Sequence, residues 1–494
     1  MKPKLVWLAL LLAAIPLFFL EIHHTQSMGG DDYSLYINEA RSIATGKPFH
    51  ATTYVFNKYN NYYSPPQYPP GYPLLLAPVI KAYGLGIAPM CYLNTFIACA
   101  LLLSFFIFFR RHMGDVAAAC LAICVAYSHC LLELKGSILS DIWALLPVML
   151  YLIQRQQAGF PKWRLLLLGF LAAFAMQVRT QSVMLLAAEM VMLAIAVAEG
   201  FKQKQSVWKV VKAYPSLYIA GAAISFGLLL GKILFPVPET ASGFYVQYLL
   251  SVLDKGVITL IRDNINTLIS SISDCFYYQT EQSIRTAMVS VMQAGGLVGC
   301  IIGFALSVRR GISFADVFFV MICGLVLYYP IHDLRYFSPA IPIVFYYCYV
   351  AVARVLPALT ITKPRYAGLA MTAFYLLTGF HEMAFAATHD VPGGFPVAKD
   401  SMAIAQLRQR VPDSSLVLCA RPRMMALYTE KRCMIHAWQR TLVENKRICD
   451  SMGVRYVLII DGIADDWYHR YLNEAAHPAD STVLAPGYTL YSVR

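Results

Sequence analysis

Eleven runs of apolar residues constrain the fold of this 494-residue chain more than any other feature of its sequence. A helix that crosses ~30 Å of hydrocarbon needs ~20 residues at ~1.5 Å each, and the runs approach that length. The chain is 58% hydrophobic and 14% charged, against roughly 45–50% and 25% in soluble proteins. These features exclude a soluble globular fold and predict an all-α polytopic membrane bundle of about eleven transmembrane helices. The runs lie at about 5–20, 87–109, 115–132, 141–153, 164–179, 181–198, 213–235, 287–308, 313–330, 337–356 and 366–387.

Basic residues occupy every second connection between the runs. Cytoplasmic loops of membrane proteins carry an excess of Lys and Arg, so the pattern predicts a cytoplasmic N-terminus. It also accounts for the net charge of +12 without a nucleic-acid partner. The basic residues are Lys2 and Lys4, Arg110 and Arg111, those of 155–164 and of 202–212, Arg309 and Arg310, and Lys363 and Arg365.

The alternate connections are predicted to be extracytoplasmic. Two of them, 21–86 and 236–286, are long enough to hold helices that lie at the membrane surface. Residues 258–273 have the amphipathic pattern of such a helix.

The C-terminal tail has a different pattern from the rest of the chain. A helix-like stretch, Lys399–Arg410, precedes two strand-like runs, Leu416–Ala420 and Tyr456–Ile460. We therefore expect two domains: a membrane module over 1–387 and a small extracytoplasmic α/β domain over 388–494.

Charged side chains gather at the ends of the apolar runs on the predicted outer side. Such charges are costly in lipid unless they pair or act. Carboxylates beside guanidinium groups could serve as a general base, hold a divalent cation or bind a phosphate. These residues are Asp31, Asp32, Glu133, Asp141, Arg179, Asp333 and Arg335.

All of these residues except Asp333 also have a structural interpretation. An aspartate at a helix start caps backbone N–H groups, and Glu133 with Lys135 could form a solvated surface pair. Arg179 could extend to the headgroups, and Arg335 could bind ordinary anionic lipid. The capping interpretation applies to Asp31, Asp32 and Asp141.

The loop YNNYYSPPQYPPGYP, residues 59–73, combines tyrosines with five prolines. Proline fixes the backbone and tyrosine offers a flat face with a hydroxyl, a combination suited to a rigid wall against a sugar ring. Tyr63, Gln67 and Tyr68 are therefore candidate substrate contacts. An interfacial aromatic belt is the alternative, although it explains the tyrosines better than the prolines.

Four segments in order resemble one family. They are GGDDYSLYINEARSIATGK, PPQYPPGYPLLLAP, SILSDIW at 137–143 and LRYFSPAIP at 334–342. Together they resemble the GT-C superfamily of polyprenyl-phosphate-dependent glycosyltransferases, in particular the branch of protein O-mannosyltransferases and the lipid A aminoarabinose transferase. The resemblance covers roughly residues 1–355, and the tail lacks the WWDYG-type motif of oligosaccharyltransferases.

The resemblance implies roles for individual residues. The acidic residue of the first external loop, the expected base, falls on Asp31 or Asp32, and spacing to Tyr36 slightly favours Asp32. A second acidic position falls on Asp141. The pair that faces the lipid phosphate falls on Arg335 and Tyr336, and Arg179 and Glu133 are further candidates for substrate binding.

The expected reaction is transfer of a sugar from a polyprenyl-phosphate donor to a glycan, lipid or protein acceptor at the external face. The expected location is the bacterial inner membrane. No cofactor is required by the motifs, and a divalent ion held by Asp31, Asp32 and Asp141 is left open. A transporter or flippase of lipid-linked glycans is the alternative. The sequence names neither the sugar nor the acceptor.

Overall fold

The protein is described from a computed structural model, over residues 3–19, 31–60, 68–157, 159, 161–236, 256–276, 283–329, 334–358, 372, 398–438, 440–463 and 465–493. The chain forms two compact units. The first comprises Met1–Ile22, Ala88–Gly231 and Val252–Val391. The second comprises His23–Ile87, Lys232–Ser251 and Pro392–Arg494.

Helices dominate the described residues. From the N-terminus they are α1 (Pro3–Ala14), α2 (Asp32–Ala44), α3 (Gly71–Tyr83), α4 (Ile87–Arg110), α5 (Asp115–Ala126), α6 (His129–Gly136), α7 (Asp141–Arg155), α8 (Lys162–Val178), α9 (Met184–Lys202) and α10 (Val207–Lys212). They continue with α11 (Pro215–Leu234), α12 (Val257–Asp274), α13 (Ser283–Arg310), α14 (Phe314–Tyr328), α15 (Ile341–Ala358), α16 (Ala398–Arg410), α17 (Pro422–Thr429), α18 (Leu442–Met452) and α19 (Asp465–Tyr471). Short 3-10 turns cover Pro16–Phe18, Thr180–Val183 and Leu334–Ala340.

The apolar runs of the sequence become helices, and the protein is an integral membrane protein. Ten of the eleven runs coincide with described helices, while the run 366–387 lies, except for residue 372, outside the described residues. Among the described residues five helices are long and apolar enough to cross a bilayer, and α5 with α6, bent by 54°, would make a sixth. The count of eleven spans stays a prediction. The five are Ile87–Arg110, Thr180–Lys202, Pro215–Leu234, Ser290–Arg310 and Arg335–Arg354.

Small residues let two helices of the first unit approach closely. A Cβ atom at Gly303 of α13 would lie 1.9 Å from the carbonyl oxygen of Tyr347 on α15, and one at Gly299 would lie 3.4 Å from Cys348 Sγ. Close backbone approach through small residues is the usual way in which helices associate inside a membrane. Any side chain at Gly303 would force α13 and α15 apart.

A buried ion pair joins three other helices of the first unit. Glu189 of α9 accepts hydrogen bonds from the Tyr151 hydroxyl (2.7 Å), Arg155 Nε (2.7 Å), Arg155 Nη2 (3.2 Å) and Ser216 Oγ (3.0 Å). Arg155 also donates to the Tyr214 hydroxyl at 2.5 Å. We call these five residues the Glu189 network. Because both carboxylate oxygens accept two hydrogen bonds, the buried charge is well compensated.

The tail forms a five-stranded mixed sheet, which confirms the small α/β fold predicted from its sequence. Its strands are β1 (Leu416–Cys419), β2 (Arg432–Met434), β3 (Val454–Ile460), β4 (Asp480–Ala485) and β5 (Tyr488–Ser492), in the order β2-β1-β3-β5-β4. β1 pairs in parallel with β2 and β3, and the remaining pairings are antiparallel. The predicted helix of the tail is α16.

Residues of the first loop extend this sheet at its β2 edge. Val55 donates its N–H to the Cys433 carbonyl at 2.8 Å, and Cys433 donates to the Thr53 carbonyl at 3.1 Å. The edge strand is thus paired instead of being left open. The loop and the tail therefore belong to one compact unit. The predicted domain boundary at 387/388 lies outside the described residues and stays a prediction.

Candidate active site

Asp31 and Asp32, adjacent in sequence, have different surroundings. The buried Asp31 carboxylate accepts hydrogen bonds from the backbone N–H groups of Arg423 (3.1 Å) and Met424 (2.7 Å). These are the second and third residues of α17, whose first residue is Pro422 and whose own N-cap, Arg421, makes no side-chain cap. Asp31 therefore caps a helix of the tail, a contact worth about 0.5–2 kcal/mol. It makes no capping bond to its own helix, α2.

Asp32 is the more accessible carboxylate of the two. Its side chain is 30% exposed, and Oδ1 accepts a hydrogen bond from Arg423 Nη1 at 3.1 Å. The same Nη1 donates to the Tyr68 hydroxyl at 3.1 Å. The Arg423 side chain is 0% exposed. Solvent can reach this carboxylate, and a buried cation fixes the position of one of its oxygens. Both properties suit general-base chemistry.

Aromatic rings surround the Arg423 guanidinium. It lies over the rings of Tyr54 and Tyr68, 5.2 and 5.3 Å from their centroids. Tyr36 stacks on Tyr68 with centroids 4.2 Å apart. Burial raises the pKa of Tyr54 to about 12, so this ring stays neutral at physiological pH. Cation–π contact and stacking thus hold Tyr68 beside Asp32.

Glu39 of α2 supports the same loop from inside the unit. Its Oε1 accepts the backbone N–H of Tyr68 at 2.9 Å, and the residue is buried. Within the part of the chain that the structure describes, Oε2 has no hydrogen-bond partner. Burial raises the pKa of Glu39 well above its usual value, against the opposing effects of the Tyr68 amide and Arg423. We call Asp32, Arg423, Tyr68 and Glu39 the Asp32 cluster.

Only part of this cluster is predictable from the sequence. Asp32 and Tyr68 are candidates there, whereas Arg423 and Glu39 are not. The Pro-Arg at the start of α17 matches no motif in the sequence, and Glu39 has no oppositely charged residue three or four positions away in the sequence that would indicate its role. Tyr63 and Gln67 lie outside the described residues.

A second carboxylate–guanidinium pair lies in the first unit. Asp141 Oδ2, at the start of α7, accepts from Arg179 Nη1 at 2.7 Å, and the Asp141 side chain is fully buried. The same Nη1 lies 3.4 Å from Ser140 Oγ. The Arg179 guanidinium lies 5.3 Å from the centre of the Tyr336 ring, which packs 4.4 Å from Tyr329. The structure thus brings together three predicted site residues: Asp141, Arg179 and Tyr336.

The remaining candidates are placed less tightly. Arg335 precedes Tyr336 in the 3-10 turn and is partly buried, while Asp333 lies outside the described residues. Glu133 is 65% exposed on its side chain, with His129 Nε2 3.9 Å away. Lys135, its expected surface partner, is buried. Glu133 is therefore placed at the surface of α6 and not in the Asp141 pair.

The carboxylates do not fit a divalent-cation site as they stand. Among the described residues no three His, Cys, Asp or Glu side chains come together. Asp31 faces a helix N-terminus, and Asp32 and Asp141 each face a guanidinium. Positive charge at each carboxylate opposes a further cation.

An apolar helical unit with paired carboxylates at helix starts, joined in one chain to a small α/β tail, is the architecture expected of the GT-C fold. No protein-family model and no curated protein sequence matches the chain. Solved structures do match over nearly its whole length. The resemblance to GT-C proteins noted in the sequence is thereby confirmed at the level of the fold.

Particular structures show how far the likeness extends. Apo ArnT from Cupriavidus metallidurans aligns with a TM-score of 0.61 and 11% identity over 99% of this chain and 98% of its own. ArnT bound to undecaprenyl phosphate gives 0.53 and 13%, over 100% and 98%. The apo Archaeoglobus fulgidus oligosaccharyltransferase gives 0.62 and 13%, over 95% of this chain and 71% of its own. At these identities the likeness establishes the fold, and chemistry must be argued from the sites.

Proposed function

We propose that this protein is a membrane glycosyltransferase that moves a sugar from a polyprenyl-phosphate donor to an acceptor at the extracytoplasmic face. The observation that carries the proposal is the accessible Asp32 carboxylate, held by the buried Arg423 guanidinium. The fold adds support, because it is shared with ArnT bound to undecaprenyl phosphate and with the archaeal oligosaccharyltransferase AglB in complex with an inhibitory peptide and a dolichol-phosphate.

In the proposed reaction Asp32 acts as the general base. Its carboxylate takes the proton from an acceptor hydroxyl as the hydroxyl oxygen forms a bond to the anomeric carbon. The bond from the anomeric carbon to the phosphate oxygen breaks, and polyprenyl phosphate leaves with the electron pair. In-line attack of this kind inverts the anomeric configuration. In our proposal Tyr63, Gln67 and Tyr68 contact the sugar.

The leaving phosphate needs positive charge near it. We propose that Arg335 and Arg179 bind it, with Tyr336 beside them, because guanidinium forks match phosphate oxygens. The 2.7 Å contact from Asp141 supports this assignment, since it fixes the orientation of the Arg179 head group. Asp141 is then a positioning residue for the donor, and Glu133 a contact at the rim.

The proposal also covers the topology of the protein in the membrane and its location in the cell. We infer eleven spans with a cytoplasmic N-terminus, a location in the bacterial inner membrane and a role in cell-envelope glycan synthesis. The alternating basic loops support the orientation. The transporter alternative gains no support, because the matching structures described above are an oligosaccharyltransferase and ArnT.

The direct test is Asp32→Asn, which keeps the shape and a hydrogen-bond acceptor for Arg423 but removes the base. Membranes from cells that express each variant supply native donor and acceptor, and mass spectrometry of envelope glycans and glycolipids, with and without the protein, identifies the product. We expect product formation to fall by about 10²–10⁴-fold. Asp450→Asn, which alters an exposed pair with Lys446 in the tail, is the matched control and should be unaffected. Full activity of Asp32→Asn would refute the assignment of the base.

A further inference from the structure

The tail sheet presents its carboxyl edge to the first loop. In open α/β sheets with parallel strands, ligands bind at the carboxyl ends of the strands, where helices begin. Here α17 begins just after β1, and the carboxylate at its N-terminus is Asp31 of the same chain. The tail therefore holds a residue of the first loop where such a domain would hold a bound anion.

The same edge holds the loop at a second point. Asn57 donates its side-chain amide to the Ile435 carbonyl at 2.8 Å, and Asn60 donates to the His436 carbonyl at 2.6 Å. Ile435 and His436 follow β2 directly. Both asparagines are buried. The loop is thus fixed at the ends of two neighbouring parallel strands.

Arg423 links this anchoring to the reactive carboxylate. Its backbone N–H binds Asp31 and its side chain binds Asp32, so one residue contacts both members of the doublet. A buried guanidinium needs compensation on several sides. Among the described residues, the titratable groups around this centre are Asp31, Asp32, Glu39, Tyr33, Tyr54, Tyr68, Tyr428, Cys419 and Cys433.

We propose that the tail is a positioning element of the active site: it binds Asp31 as an internal ligand and, through Arg423, orients Asp32 and Tyr68. The doublet then has divided roles, with Asp31 as the anchor and Asp32 as the base. This inference rests on the proposed function. It identifies Arg423 and Asp31 as positioning residues, since each acts through Asp32 or Tyr68.

The first experiment compares Arg423→Met with Arg423→Lys in the full-length protein, using the membrane assay described for Asp32. Misplacement of a reacting group costs about 10²-fold in rate, and we expect that loss in Arg423→Met. Removing the cation should also move the acid limb of the pH–rate profile to higher pH. Lysine restores the charge but not the planar fork, so Arg423→Lys should recover the wild-type acid limb and only part of the rate.

Controls separate positioning from folding. Arg470→Met, which breaks an exposed pair with Glu474 in the same unit, should leave both rate and pH profile unchanged. Binding of undecaprenyl phosphate to each purified variant reports on the membrane module. If Arg423→Met does not fold, the rate and the acid limb of Arg423→Lys serve as the test. A wild-type rate in Arg423→Lys would show that the planar guanidinium group is not needed, and would overturn its proposed role.

The second experiment reads the anchor without any reaction. Asp31→Ala should speed hydrogen exchange at the amides of Arg423 and Met424, while Asp32→Asn should not. The inference would be overturned if Asp31→Ala had wild-type hydrogen exchange at these amides, or if Arg423→Met had the wild-type rate and pH profile. The proposed function would still stand in that case, provided that Asp32→Asn is inactive. An active Asp32→Asn would instead remove the proposed base itself.

Discussion

The Glu189 network and the Asp32 cluster are both carboxylate–guanidinium pairs, but they differ in what surrounds them. Glu189 and its arginine are enclosed, with side-chain exposures of 0% and 8%, and both carboxylate oxygens are fully engaged. In the Asp32 cluster the arginine is buried while the carboxylate stays 30% exposed. A network enclosed in this way stabilises the fold, whereas a half-open pair can also act on another molecule.

The largest effect on stability is expected from opening the enclosed pair. Glu189→Ala leaves Arg155 buried without its carboxylate, which costs about 3–5 kcal/mol of unfolding free energy. Thermal unfolding of the purified protein in detergent measures it. Asp263→Ala is the control, since its pair with Arg262 is exposed and worth at most about 1 kcal/mol. Equal stability of Glu189→Ala and wild type would remove the distinction between the two regions.

The Asp141–Arg179 pair is also enclosed, with side-chain exposures of 0% and 11%. Arg335, which precedes Tyr336 and which we propose binds the donor phosphate, should affect ligand binding more than folding. If Arg335 binds the phosphate as proposed, Arg335→Ala removes a charge-assisted hydrogen bond and should weaken binding of undecaprenyl phosphate by about tenfold or more. Binding to the purified variant by microscale thermophoresis measures the change. Arg354→Ala, an exposed arginine on α15, is the matched control. Unchanged affinity in Arg335→Ala would count against its role as a phosphate ligand.

The smallest effect is expected at Glu39, a buried carboxylate that faces an amide. Its pKa is raised in the folded protein, so the fold binds a proton that the unfolded chain releases, and stability falls as pH rises from about 4.5 towards the raised pKa. The unfolding temperature of Glu39→Gln should equal that of the wild type near pH 4 and should exceed it by a growing margin as the pH rises above that value. A constant difference in unfolding temperature across this pH range would show that the pKa of Glu39 is not raised in the fold.

The hydrogen bond to Tyr68 gives a second test. Activity should be kept in Glu39→Gln and reduced in Glu39→Leu, whose side chain cannot accept a hydrogen bond from the Tyr68 N–H.

Local signals in the sequence predicted local structure well. Ten long apolar runs predicted helices, and two short strand-like runs in the tail predicted β1 and β3, because both signals depend on residues close in sequence. The pairing of Asp141 with Arg179 could also be predicted from the sequence, because charged side chains near lipid need partners of opposite charge.

Long-range contacts were not predictable in this way. Arg423 lies 391 residues from Asp32, and no periodicity or motif connects the two. The sequence therefore left the Asp31/Asp32 doublet nearly symmetric, with only a spacing preference for Asp32. What separates the two residues is a helix N-terminus that the tail contributes, and this depends on how the sheet and the first loop fold together.

The cap that Asp31 provides for α17 can form only late in the synthesis of the chain. Met424 is 393 residues downstream of Asp31, so a ribosome adding about 5–20 residues per second reaches it about 20 to 80 s later. During that interval the nascent chain already carries Asp32 but has no Arg423 to hold it. In the proposed mechanism the base is therefore not oriented until α17 has been synthesised.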